Sequence, residues 1–81
     1  MNKEILLSNI DKVHTTEIGI DRIKRNLKLD TNDVVEYCKN KILHKNCAIY
    51  KRGKNCYCEI GNIKITINPY SYTIITAHII H

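Results

Sequence analysis

The chain beyond Lys51 alternates too regularly to be helix. Isoleucines at 63, 65 and 67 are interleaved with Lys64 and Thr66. A period of two puts them on one face of a strand. Segments 47–52, 55–60, 63–68 and 72–80 read as four strands. Gly53 marks the first turn and Gly61-Asn62 the second, where a positive φ is cheap for Gly and tolerable for Asn. Pro69 lacks an amide proton, so the third turn falls between Asn68 and Ser71.

Register decides which side chains share a face. A three-residue loop of Pro69, Tyr70 and Ser71 would pair Asn68 with Tyr72. It would group Ile63, Ile65 and Ile67 with Thr73, Ile75 and Ala77. Lys64, Thr66, Asn68, Tyr72, Ile74, Thr76 and His78 would then share the opposite face. A two-residue loop would flip the last strand and bury His78. The first register is preferred, because it buries Ile75 and Ala77 and frees the histidine.

The N-terminal half has helical spacing instead. Residues 2–9 form a short apolar start. Thr15 or Thr16 can cap a second helix whose buried stripe is Ile20, Ile23 and Leu27, with Gly19 delaying its regular part. Asp30 reads as the cap of a third helix reaching Leu43, with Leu29 and Val34 spaced as a hydrophobic staple. Val34, Cys38 and Ile42 recur every four residues and should pack inward together. The prediction is one α+β domain over residues 1–81. Its three helices, within 2–43, pack on one face of a four-stranded antiparallel sheet within 47–80.

A chain of 81 residues cannot bury a large core, and a homodimer would help it. Thirteen Lys and Arg against eight Asp and Glu give a formal charge of +5. That surplus suits a polyanion, since basic side chains displace counterions from phosphates. No apolar run approaches the roughly 18–20 residues that span a bilayer. Nor does the N-terminus read as a signal peptide. The expected location is therefore cytoplasmic, away from membranes, with Cys38, Cys47, Cys56 and Cys58 as free thiols.

Several runs resemble a known bacterial family. They are His-Thr-Thr-Glu-Ile-Gly-Ile-Asp-Arg-Ile-Lys-Arg-Asn-Leu at 14–27, Leu-Asp-Thr-Asn-Asp-Val-Val-Glu-Tyr-Cys-Lys at 29–39, Arg-Gly-Lys-Asn at 52–55 and Ser-Tyr-Thr-Ile-Ile-Thr-Ala-His at 71–78. Together they resemble the domain of unknown function 3781 family over nearly the whole chain. That resemblance carries no activity. Where many members of that family have Trp, this chain has Tyr37 and Cys56, which leaves less aromatic surface for stacking. More loosely, helices followed by a sheet ending in this hairpin resemble ribonuclease toxins of the RelE, barnase and colicin type. That analogy implies RNA on the open sheet face, but fold-level likeness alone assigns no function.

Metal-free RNA cleavage needs a proton acceptor, a proton donor and a cation near the phosphate. An imidazole titrates near neutrality, which suits His78 to proton transfer. Thr76 shares its strand face and Lys64 stands on the neighbouring strand, so these three are the candidate catalytic residues. Lys51, Arg52, Lys54, Asn68 and Tyr72 are the candidate nucleic-acid contacts. Tyr50, Tyr57 and Tyr70 add stacking surface. The bland reading is a solvated basic face.

His44, Cys47, Cys56 and Cys58 invite a zinc reading, but Cys-x-Cys on a strand is a poor start to a chelate. No metal and no cofactor are expected. A helix-turn-helix is disfavoured because Asp30, Asp33 and Glu36 would meet the DNA phosphates. The sequence thus predicts an RNA-binding protein, with toxin-type, metal-independent endoribonuclease activity as its catalytic form. The alternative is a non-enzymatic protein of phage or host-defence origin that inhibits or recruits a protein. An antitoxin or a protein target would then be the partner.

Overall fold

The computed structural model describes residues 2–80. Three α-helices, α1 (Lys3–Ser8), α2 (Glu17–Leu27) and α3 (Val34–Leu43), precede strands β1 (Ala48–Arg52), β2 (Asn55–Ile60), β3 (Ile63–Ile67) and β4 (Ile74–Ile79). A single 3-10 turn at Ile10–Lys12 follows α1. The strands form one antiparallel sheet in the order β1-β2-β3-β4. The fold is α+β with a meander, as the strand periodicity predicted.

Local chemistry accounts for the helix starts. Asn2 Oδ1 accepts the Ile5 N–H at 2.9 Å, and Thr16 Oγ1 accepts the Gly19 N–H at 3.0 Å. Each cap satisfies a donor that the first helical turn leaves open. Gly19 does not delay α2, contrary to expectation. It lies inside the helix and is buried, because the space a Cβ would take is already filled by the Thr15 side chain.

The expected Asp30 cap is also corrected. α2 ends with Lys28 at φ 55, and the Leu29 N–H bonds back to the Lys24 carbonyl at 2.9 Å. This left-handed termination directs Leu29 onto the core as the apolar partner of the helix end. Leu29 is therefore no staple for α3. Residues 30–33 turn the chain, Thr31 Oγ1 accepts the Asp33 N–H at 3.0 Å, and α3 starts at Val34.

Leu6, Ile23, Leu27, Val34, Cys38 and Ile42 from the helices form one cluster with Cys56, Cys58, Ile65, Ile67, Ile74 and Ala77 from the sheet. Burying a large aliphatic side chain contributes roughly 1.5–3 kcal/mol. Net stability of such domains is only about 5–15 kcal/mol, so this single cluster decides whether the chain folds. All four cysteines lie within it, as buried free thiols.

The last hairpin departs from the preferred register. Ile65 pairs with Ala77, Lys64 with His78 and Thr66 with Thr76, two residues further along than the three-residue loop would give. A shift of two preserves the faces, so Ala77 is buried and His78 exposed. A bulge between Thr66 and Ile67 then pairs Ile67 with Ile74 and leaves Ile75 as the extra residue. Ile74, expected on the outer face, is 1% exposed; Ile75, expected in the core, is 38% exposed.

β4 does not carry a bare outer edge. His14 bridges to Thr73 in parallel, the Ile74 N–H bonds the His14 carbonyl at 2.7 Å, and the His14 N–H bonds the Tyr72 carbonyl at 3.1 Å. Thr15 Oγ1 donates to the Ile74 carbonyl at 2.8 Å and Asn26 Nδ2 to the Ala77 carbonyl at 3.2 Å. The segment entering α2 and the last turn of α2 thus occupy backbone groups that would otherwise template another strand.

Candidate nucleic-acid interface

Following the register across the strands collects one set of side chains. Glu59 stands opposite Lys64, and Lys64 opposite His78. One step along, Tyr50 stands opposite Tyr57, Tyr57 opposite Thr66, and Thr66 opposite Thr76. Arg52 pairs with Asn55 at the end of the same alternation. These residues occupy positions of the opposite parity to Cys56, Cys58, Ile65 and Ala77. Thr66 is buried at 7% exposure; the others form a polar, basic and aromatic surface on the sheet.

The surface is ordered by its own contacts. The Tyr50 and Tyr57 rings stack at 5.5 Å with an interplanar angle of 29°. Lys64 Nζ lies 4.6 Å from the Tyr57 centroid, close enough for the ring face to attract the ammonium. The Tyr50 hydroxyl donates to the Glu59 carboxylate. That hydrogen bond, with burial and the nearby negative charge, holds the Tyr50 phenol above its ordinary pKa.

His78, Lys64 and Thr76, the three candidate catalytic residues, do come together. Asn26 reaches the same place from α2, 3.5 Å from the Thr76 hydroxyl. A hollow of about 260 Å³ beside His78 is lined by Asn26, Lys28 and Ile79. Asn26, Lys28 and Glu59 were not among the expected site residues. Lys28 had a local signal, being the basic residue after Leu27 where α2 stops, but nothing local tied Asn26 to a strand fifty residues away.

The five candidate nucleic-acid contacts do not stay together. Arg52 and Lys54 are exposed at the first hairpin. Lys51 falls on the parity of Cys56 and Ile67, away from Lys64. Asn68 spends its carbonyl oxygen on the turn, accepting from the Tyr70 N–H at 2.9 Å. Tyr72 lies outside β4 at φ 61 and lines a different cleft with Ile5, Lys51, Pro69 and Tyr70. The expected face-sharing of Tyr72 with Lys64 fails because the chain turns through this left-handed residue before the bulge.

Among the described residues, no group of three or more His, Cys, Asp or Glu side chains is placed to hold a metal ion. No helix among them is long and apolar enough to cross a membrane.

The profile described as "Protein of unknown function (DUF3781)" matches residues 7–78. The chain belongs to that family. The match covers α2, α3 and all the polar positions of the sheet surface, so the site lies within the family's shared region. No curated protein and no solved structure matches the chain.

Proposed function

We propose that this protein binds single-stranded RNA in the cytoplasm through the open face of its sheet, with the helices covering the other face. The observation that carries this reading is the row Glu59–Lys64–His78 beside the stacked pair Tyr50–Tyr57. Aromatic rings accept bases of any sequence, and neighbouring cations track the phosphates. The formal charge of +5 provides the long-range attraction.

The same row suits transphosphorylation. His78 takes the proton of a 2′-hydroxyl, the 2′-oxygen attacks phosphorus, and the bond to the 5′-oxygen breaks. The products are a 2′,3′-cyclic phosphate and a 5′-hydroxyl, the leaving oxygen taking its proton from solvent. Lys64 offsets the charge that develops on the phosphoryl oxygens, and Thr76 donates a hydrogen bond to them. The protein-docking alternative would be favoured by an exposed apolar patch around Ile74 and the tyrosines. Ile74 is buried, whereas Ile75 and Tyr70 are exposed, so the RNA reading rests on the polar row and the stacked tyrosines.

Fluorescence anisotropy with a labelled single-stranded RNA tests the proposal. Binding is expected to weaken steeply with salt. Lys64→Ala and Arg52→Ala should each lower the log–log salt slope by roughly one. Salt-independent binding, or none at low salt, would overturn it.

A further inference from the structure

The residues that the open face leaves out make a second constellation. Ile5 from α1, Lys51 from β1 and the turn residues Pro69, Tyr70 and Tyr72 line a cleft of about 220 Å³. Lys12 approaches from the 3-10 turn, its Nζ 5.9 Å from the Tyr72 centroid. Two cations therefore flank two phenol rings, and Tyr70 is 83% exposed.

Tyr72 is held there against its backbone preference. Its φ is 61, a region that few bulky residues enter. The surroundings enforce it: the Tyr72 N–H bonds the Asn68 carbonyl at 2.9 Å, and its carbonyl accepts from the His14 N–H at 3.1 Å. Ser71 and Thr73 share a hydroxyl contact of 2.7 Å, and Thr73 Oγ1 lies 3.2 Å from His14 Nε2. A strained aromatic residue fixed this firmly beside a cleft is a feature that backbone propensity alone would remove.

Chemistry and size specify an occupant. The cleft is smaller than the roughly 300–1,000 Å³ of pockets that engulf whole ligands, so it suits one base, with sugar and phosphate left outside. Lys51 and Lys12 complement a phosphate, and the tyrosines offer stacking surface. The first and third hairpin turns lie at the same end of a meander, which puts the exposed Arg52 and Lys54 at that end of the sheet too.

We propose that this cleft is a nucleotide subsite, in which a base stacks on Tyr70 and Tyr72 while Lys51 and Lys12 hold its phosphate. The inference rests on RNA as the ligand but on a different surface from Lys64 and His78. A strand of RNA would therefore be gripped at the sheet end as well as across the open face.

Amide chemical-shift titration of the full chain tests this with adenosine 5′-monophosphate, inorganic phosphate and a single-stranded RNA of about eight nucleotides. The mononucleotide should move the amides of Ile5, Lys51, Tyr70 and Tyr72. Lys51→Ala and Tyr70→Ala should each weaken it about tenfold. Tyr72→Gly removes the ring while relieving the backbone, so it should keep a dispersed spectrum and still lose the site. Equal shifts from inorganic phosphate alone would reduce the cleft to an anion contact and overturn the base-stacking claim. RNA binding with the mononucleotide moving only residues around Lys64 and His78 would sink the subsite and leave the open-face reading standing. Mononucleotide binding in the cleft, with RNA affinity unaffected by Lys64→Ala, would do the reverse.

Discussion

Thr15 donates its hydroxyl proton to the carbonyl oxygen of Ile74, 2.8 Å away and 59 residues along the chain. The bond joins the entry of α2 to the outer edge of β4. The Thr15 side chain also occupies the space beside Gly19, so one threonine couples the edge closure to the need for a glycine inside a helix.

Gly19→Ala should destabilise the protein by about 1–3 kcal/mol, the usual cost of forcing volume into a packed site. Helix propensity alone would give a gain of about 1 kcal/mol, so the sign discriminates. The added methyl would collide with Thr15 Oγ1. Combining it with Thr15→Ala should cost less than the sum of the two single changes. Urea melts of the three variants measure this; a raised midpoint for Gly19→Ala alone would refute the packing account.

Caps should separate cleanly. Thr16→Ala removes the acceptor of the Gly19 N–H and should cost about 1 kcal/mol. Asp30→Ala alters an exposed residue in the turn before α3 and should stay within about 0.5 kcal/mol. Thermal melts under identical conditions give the comparison. An Asp30→Ala loss as large as that of Thr16→Ala would restore Asp30 as a cap.

The meander was legible because alternation and glycine turns are local signals. Ile63, Ile65 and Ile67 could be read as one strand, and Gly53 and Gly61 do adopt φ of 61 and 57. What escaped depended on distant partners. The bulge that buries Ile74 and exposes Ile75 accompanies the bonds from His14 and Thr15 to Ile74, which no pattern around residue 74 encodes. Asp30 looked like a cap because its identity is right for one, but the left-handed Lys28 spends those residues on ending α2. For the site, a shift of two left Lys64, Thr76 and His78 on one face, whereas Tyr72 left it because its own backbone angle changed.

Cys38 should set part of the alkaline limit. Burial pushes its thiol up to about 11 from an ordinary 9.0. The unfolded chain then loses this proton first, so the contribution is intact below about pH 9 and falls as pH rises towards 11. The full change is on the order of 2–3 kcal/mol. Cys38→Ala should start less stable but decline less steeply across that window. Urea midpoints at several pH values provide the test, and parallel slopes would contradict the assignment.

The histidine prediction is the sharpest. His78 is exposed on β4, opposite Lys64, so His78→Ala should change stability by no more than about 0.5 kcal/mol. If the open face cleaves RNA, the same variant should abolish cleavage while binding persists, because proton transfer is lost and the stacking and charge contacts remain. Lys64→Ala should weaken both, since one ammonium serves the phosphate in the bound state and in the transition state. Incubating wild type and both variants with single-stranded RNA in chelator, and identifying the new ends, reads the outcome directly. A 2′,3′-cyclic phosphate that disappears with His78→Ala supports the mechanism. Wild type that binds RNA but leaves it intact would make this surface a binding face alone.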